Sequence, residues 1–164
     1  MLDACDALES HTNVISNPDT SLLDLCCGDG NFLLEALRRR SRNADTPLQA
    51  MHGIYGVELQ QQHVDMARRR CMDMLHDAYG NEACEEGAVD AIIHSHIVVG
   101  DAMSFAPQGH YDVIVSNPPY QDNIAGKTHV RNRSKSLPIY QEFWDKALSI
   151  YVCFFIQLSY AYRD

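Results

Sequence analysis

A chain of 164 residues with 46% hydrophobic and 21% charged side chains has the composition of one globular domain large enough to bury a core. Its net charge of −9 argues against a protein that grips nucleic acid over its whole surface. Segment 121–137 departs from that balance: Asp122 stands against Lys127, Arg131, Arg133 and Lys135, a local +3 that leaves −12 on the rest. One basic loop on an acidic body is expected. The six cysteines (Cys5, Cys26, Cys27, Cys71, Cys84, Cys153) contain no C-x-x-C pair, and the first residues show neither a basic n-region nor an apolar h-region. A reduced, cytoplasmic protein is the expectation. The longest apolar run, Ile150 to Ile156, is too short to cross a bilayer, so no membrane partner is expected.

In chain order, Leu2, Cys5 and Leu8 within Met1 to His11 give a weak amphipathic helix, and Asn17-Pro18-Asp19 marks a turn. Leu22 to Cys27 reads as a central strand, Gly28 and Gly30 as a tight turn, and Asn31 to Arg40 as a helix burying Phe32, Leu33, Leu34, Ala36 and Leu37. Glycines there would let a ligand approach the backbone near the N–H groups of the helix start. Two glycines do not complete the dinucleotide fingerprint. After a polar loop from Ser41 to Gln49, Met51 to Val57 reads as a second strand ending in Glu58. A carboxylate at that place commonly takes the two ribose hydroxyls of a nucleoside cofactor, although 28 residues from Gly30 is a long spacing.

Val64, Ala67, Cys71, Leu75 and Ala78 trace a helical stripe, which assigns Met66, Met72 and Met74 to core or flank and Arg68-Arg69-Arg70 to a solvated face. Gly80 to Gly87 reads as an acidic loop. Ile97-Val98-Val99 is a third buried strand, ending in Gly100-Asp101. His94 and His96 would alternate along it with no third ligand nearby, so no metal is assigned. Tyr111 to Val115 is the fourth strand. Ser136-Leu137-Pro138 opens a helix whose apolar face holds Ile139, Phe143, Ala147 and Leu148, and Ile150 to Leu158 is a fifth strand.

The fourth strand stops at Asn117-Pro118-Pro119-Tyr120. Each proline fixes its own φ, lacks an N–H and pushes the residue before it towards extended geometry. Asn117 and Pro118 can then aim acceptor oxygens outward, so that a planar amino group is held by the Asn117 amide and the Pro118 carbonyl while its ring lies on Tyr120. A plain strand with a proline turn is the competing reading.

Strands alternating with helices call for an α/β fold with a parallel sheet, whose ligands lie at the carboxyl ends of the strands. The glycine turn, Glu58, Asp101 and the Asn117–Tyr120 tip each follow a strand, so all four are expected on one edge of the sheet. The residues at these positions resemble the S-adenosylmethionine-dependent adenine-N6 DNA methyltransferases of restriction-modification systems. Leu23-Asp-Leu-Cys-Cys-Gly-Asp-Gly-Asn-Phe-Leu33 is similar to their first cofactor motif, Tyr55-Gly-Val-Glu58 and Val99-Gly-Asp-Ala102 to the second and third, and Ser116-Asn-Pro-Pro-Tyr-Gln121 to the catalytic motif. The likeness runs from about Leu22 to Leu148.

The resemblance implies a Rossmann-like class I methyltransferase sheet of about five parallel strands with flanking helices, and S-adenosyl-L-methionine as cofactor. It places Asp24, Cys26, Gly28, Gly30, Glu58 and Asp101 in the cofactor-binding set. Asp24 and the glycine turn would face the methionine part, Glu58 the ribose and Asp101 the adenine amino group. It implies catalysis by Asn117, Pro118, Pro119 and Tyr120, with Tyr120 stacking on an adenine flipped out of double-stranded DNA. Lys127, Arg131, Arg133 and Lys135 are candidates for phosphate contact, or form a solvated loop. Similar tips serve methyl transfer to protein glutamine and ribosomal-RNA guanine, and a non-catalytic remnant is a further alternative. The family pattern also leads one to expect more strands and a target-recognition domain. The expectation is therefore a single catalytic domain over 1–164 from a truncated or split enzyme, with a second chain as one source of the recognition domain.

Overall fold

The structure, a computed structural model, describes residues 13–84, 87–106, 109–117, 145 and 152–157, the last six through their backbone. Among these residues five strands, β1 (Leu22–Asp24), β2 (Ile54–Glu58), β3 (Ile97–Val99), β4 (Tyr111–Ser116) and β5 (Val152–Gln157), form one sheet in the order β3-β2-β1-β4-β5. Every pairing is parallel. Among the described residues five helices accompany them: α1 (Asn31–Arg40), α2 (Pro47–Met51), α3 (Gln61–Tyr79), α4 (Asn81–Cys84) and α5 (Ala88–His96). From β1 the chain builds outward to β2 and β3, then returns to the other side of β1 as β4 and continues to β5. The reversal of strand order therefore lies between β1 and β4, where doubly wound sheets open a crevice at their carboxyl ends.

Successive residues of a strand face opposite sides of a sheet, and the buried residues divide accordingly. Leu22, Ile54, Val113 and Val115 share a core with Phe32, Leu33 and Leu37 of α1, Met51 of α2, Val64, Ala67, Cys71 and Leu75 of α3, and Ile93 of α5. Leu23, Val57 and Ile114 pack on the other side with Ala102, Met103 and Phe105. The five apolar residues expected to be buried in α1 are buried.

Several boundaries differ from the sequence reading, each for a local reason. The first strand ends at Asp24 rather than Cys27, because the Asp24 carboxylate accepts the Cys26 N–H (3.0 Å) and bends the chain into a turn. Within the expected loop from Ser41 to Gln49 a helix begins. Thr46 caps it by accepting the Gln49 N–H (3.1 Å), Pro47 takes the first helical position, and the Gln49 side chain reaches back to the Asp45 N–H (2.9 Å). That helix runs through the buried Met51, so β2 starts three residues later than expected. The acidic Gly80–Gly87 stretch contains α4, anchored by the buried Cys84. His94 and His96 close α5 instead of alternating along a strand. Val99, expected to be buried, is 44% exposed at the end of β3, the sheet's edge among the described residues, and Ala78 lies exposed near the end of α3.

Arg68 and Arg70 are also not simply solvated. Both are half-buried and bonded across elements: Arg68 donates to the carbonyls of Ile97 (2.9 Å) and His94 (3.3 Å), and Arg70 to the glycine turn. Of the three methionines, Met72 and Met74 flank the core, whereas Met66 is exposed. The expected Met1–His11 helix and the segment from Pro118 to Trp144 lie outside the described residues.

Candidate active site

The carboxyl end of β1 supplies Asp24, only 4% exposed. Burial pushes its carboxyl up to about 7; the hydrogen bond from the Cys26 N–H pulls it down, and the nearby Glu58 carboxylate pushes it up again. The turn that follows brings Cys26 and Cys27 under the same influence. Cys26 is held up at about 12 by burial and by the negative charges of Asp24, Glu58 and Asp101, and contact with Ser116 lowers it. Cys27 is shifted in the same direction, again first by burial. Both are neutral thiols at physiological pH, so neither serves as a nucleophile. What Cys26 reports is position: one side chain senses three carboxylates from the ends of β1, β2 and β3 and the hydroxyl that ends β4.

Glu58, at the end of β2, folds back on the glycine turn. Its Oε2 accepts the Gly28 N–H (3.1 Å) and its Oε1 accepts the Gln60 N–H (3.0 Å), with His63 Nδ1 3.7 Å away. An ionised carboxylate has room for about four acceptor contacts, so both oxygens keep capacity for further donors. Asp101, exposed after β3, accepts the Met103 N–H (2.9 Å) and is tied to β2 through the Gly100 N–H to Glu58 carbonyl bond (2.9 Å). These bonds place Asp24, Cys26, Gly28, Glu58 and Asp101 at one edge of the sheet, as the sequence leads one to expect.

The two glycines have different jobs. Gly28 is in the left-handed region (φ 54°), and a Cβ built there would meet nothing within 4 Å, so its backbone face is open to a ligand. Gly30 (φ 86°) caps α1, and a Cβ on it would stand 2.9 Å from the Cβ of Ala67. Its missing side chain serves the packing of α3 on the turn rather than the approach of a ligand. Gly56, quoted only as part of a motif, does the same for β2: a Cβ there would lie 2.8 Å from Leu33 Cδ1 and 3.0 Å from Cys27 Sγ.

On the other side of the switch point, β4 ends at Ser116, fully buried beside Cys26, and Asn117 follows it exposed. The contact with the thiol is close enough to be felt electrostatically but lacks hydrogen-bond geometry. Among the described residues, the Ser116 hydroxyl is the buried side-chain group that makes no hydrogen bond. Sequence reasoning quoted Ser116 as the first residue of the catalytic motif but gave it no role. Pro118, Pro119, Tyr120, Lys127, Arg131, Arg133 and Lys135 lie outside the described residues. No three His, Cys, Asp or Glu side chains among the described residues group as a metal site would require, and no described helix is long and apolar enough to cross a membrane.

The profile of the N-6 DNA methylases matches residues 9–157, nearly the whole chain. The chain belongs to the N-6 DNA methylase family. A type II methyltransferase, M.VspI from Vibrio sp. (strain 343), is 28% identical over 111 residues, which are 66% of this chain and 22% of that protein. A modification subunit classed with the type I restriction enzymes, from Vibrio vulnificus YJ016, superposes with a TM-score of 0.50 at 17% identity, covering 88% of this chain and 29% of the other. A methyltransferase from Thiobacillus denitrificans solved with S-adenosyl-L-homocysteine gives 0.43 at 19% identity over 77% of this chain and 40% of that one. As an N-6 DNA methylase the chain carries the Rossmann-like class I methyltransferase sheet, and it spans less than a third of the length of the two Vibrio relatives.

Proposed function

We propose that this chain binds S-adenosyl-L-methionine and transfers its methyl group to the N6 amino group of adenine in DNA. The observation that carries the reading is the carboxyl edge of the sheet: Asp24, Glu58 and Asp101 follow β1, β2 and β3 there, with the Glu58 carboxylate on the Gly28 N–H (3.1 Å), inside an N-6 DNA methylase sequence. A cofactor with a sulfonium and an ammonium group suits an edge that gathers the carboxylates of Asp24, Glu58 and Asp101. Gly28 offers open backbone, and a nearby cation would offset the burial that pushes the Asp24 carboxyl up.

Asp24 and the glycine turn take the methionine part, Glu58 the ribose hydroxyls, and Asp101 the adenine of the cofactor. When bound, the cofactor supplies a methyl group on a sulfonium centre, whose sulfur keeps the bonding pair as the methyl leaves. The chain's own part is to present the amine. The Asn117 amide oxygen and the Pro118 carbonyl accept hydrogen bonds from N6, which favours a pyramidal nitrogen with an available lone pair in line with the methyl. Tyr120 stacks on the flipped base and offsets part of the lost stacking in the duplex. The cations of segment 121–137 contact phosphate, which predicts DNA affinity that falls with salt. Reading of the DNA sequence belongs to polypeptide beyond these residues or to a second chain, consistent with the greater length of the relatives.

Titration calorimetry with S-adenosyl-L-methionine, followed by transfer of labelled methyl to unmethylated duplex DNA, tests both halves. Cofactor binding with transfer to ribosomal RNA or to a glutamine-bearing peptide, and none to DNA, would overturn the substrate assignment. Absence of cofactor binding would overturn the whole reading.

A further inference from the structure

Two of the three arginines on α3 leave solvent for different targets, and the second points to the cofactor turn. Arg70 Nη1 donates to the Asp29 carbonyl (2.8 Å) and lies 2.8 Å from Asp29 Oδ2. Its Nη2 donates to Asn31 Oδ1 (2.9 Å), and the Asn31 amide closes the ring by donating to Asp29 Oδ1 (2.8 Å). Asp29 stands between two glycines in left-handed conformation, a segment with much backbone freedom to lose on ordering. The other face of this turn carries the Gly28 N–H to Glu58 bond. The same helix touches the turn a second time, through Ala67 against Gly30, and begins three residues after Glu58.

We propose that Arg70 is a positioning residue for the cofactor turn: its guanidinium holds Asp29 and Asn31 and thereby fixes the Gly28 N–H and the Glu58 carboxylate that faces the ribose. The role in binding rests on the methyltransferase reading above. The clamp itself does not. Arg70 and Asp29 side chains are 33% and 45% exposed, so the pair adds little to global stability and its effect is concentrated on the geometry of the turn. A planar fork meets a carbonyl and two side-chain oxygens at once, which an ammonium cannot do.

The test compares Arg70→Ala with Arg68→Ala, since Arg68 is anchored from the same helix to the β3 side. Arg70→Ala is expected to weaken S-adenosyl-L-methionine binding about tenfold. KM for the cofactor should rise with kcat at saturation unchanged, and Arg70→Lys should recover part of the loss. Arg68→Ala should lower the melting temperature and leave cofactor affinity as it was. Hydrogen exchange, followed without any cofactor, should quicken at the Gly28 to Gly30 amides in Arg70→Ala and not in Arg68→Ala. Unchanged affinity in Arg70→Ala, or equal losses in the two alanine variants, overturns the proposed role. Wild-type protein that binds no cofactor, together with faster exchange in Arg70→Ala, overturns the methyltransferase reading and leaves the clamp standing. Should Arg70→Ala not fold, Arg70→Lys carries the same comparison, and an affinity equal to wild type counts against the proposal.

Discussion

At the N-terminal ends of β1 and β4, Ser21 and Asp112 satisfy one another: the Ser21 N–H and hydroxyl both donate to Asp112 Oδ2 (2.7 and 2.8 Å), and the Asp112 N–H is taken by Ser21 in return. Close by, the fully buried Arg40 donates to the carbonyls of Ile15 (3.1 Å), Thr20 (2.9 Å) and His52 (2.5 Å). At the C-terminal ends of these two strands and of β2 the picture reverses. Asp24 is buried with its carboxyl pushed up to about 7, Glu58 keeps acceptor capacity, and the Ser116 hydroxyl makes no hydrogen bond among the described residues. Buried polar groups are normally paired, because leaving one unpaired costs on the order of 1–3 kcal/mol. One end of the sheet spends its polar groups on itself. The other keeps acceptor capacity open, a difference that supports the proposed binding end.

Substitutions at the two ends should therefore fail in different ways. The largest effect is expected at Asn117→Ala, with methyl transfer down by about a thousandfold or more and cofactor affinity nearly unchanged, since its contacts are to the substrate amine. Equal losses of transfer and cofactor affinity would remove that assignment. Next comes the pH dependence of Asp24. Its carboxyl holds a proton more tightly in the folded state, at about 7 against 3.8, so folding stability is greatest below pH 3.8 as far as this group is concerned. That stability is lost as pH rises towards 7, by up to a few kcal/mol, and changes little beyond. Cofactor affinity should run the opposite way, rising through pH 7 as the carboxylate forms. Asp24→Asn keeps an acceptor for the Cys26 N–H and should flatten the stability profile between pH 4 and 7. Melting scans across that range decide it, and an unchanged slope in the variant would shift the cause elsewhere.

Arg40→Met should lower unfolding free energy by about 3 kcal/mol in urea titrations, because one buried and two part-buried carbonyls lose the donor that the buried guanidinium supplies. In whatever fraction remains folded, cofactor affinity should be that of the wild type. Loss of binding in the folded fraction would break the division between the two ends. The smallest effect is expected for Glu58→Gln, which still accepts the Gly28 or the Gln60 N–H but loses charge and acceptor capacity; cofactor affinity should fall about tenfold. A melting curve that drops as far as that of Arg40→Met would instead assign Glu58 to structure.

Periodicity and punctuation made much of this legible. The buried face of α1, the core of α3, the placing of strands two to five, and the glycine turn with Glu58 and Asp101 behind successive strands all follow from local residue patterns. Where the reading slipped, side-chain hydrogen bonds to the backbone had intervened. Asp24 ended a strand that hydrophobicity alone would have continued, and Thr46 with Pro47 and Gln49 began a helix inside a polar stretch. The second of these carries a capping signal in the sequence; the first depends on a carboxylate whose partner is set by the turn it creates.

The sequence by itself determined the alternation of strands and helices, and hence a parallel sheet with its ligands at one edge, because hydrophobic period and glycine placement act over a few residues. The order of motifs along the chain also carries the family. The tertiary structure alone decided which polar residues serve the site and which serve the fold. Arg40, Arg68 and Arg70 look alike in sequence, yet one is sealed in the core, one ties α3 to β3, and one holds the glycine turn. Gly28 and Gly30 differ in the same way, open on one side and filled by Ala67 on the other. Such roles depend on neighbours brought from 12 to 41 residues away in the chain, a distance over which no local pattern operates.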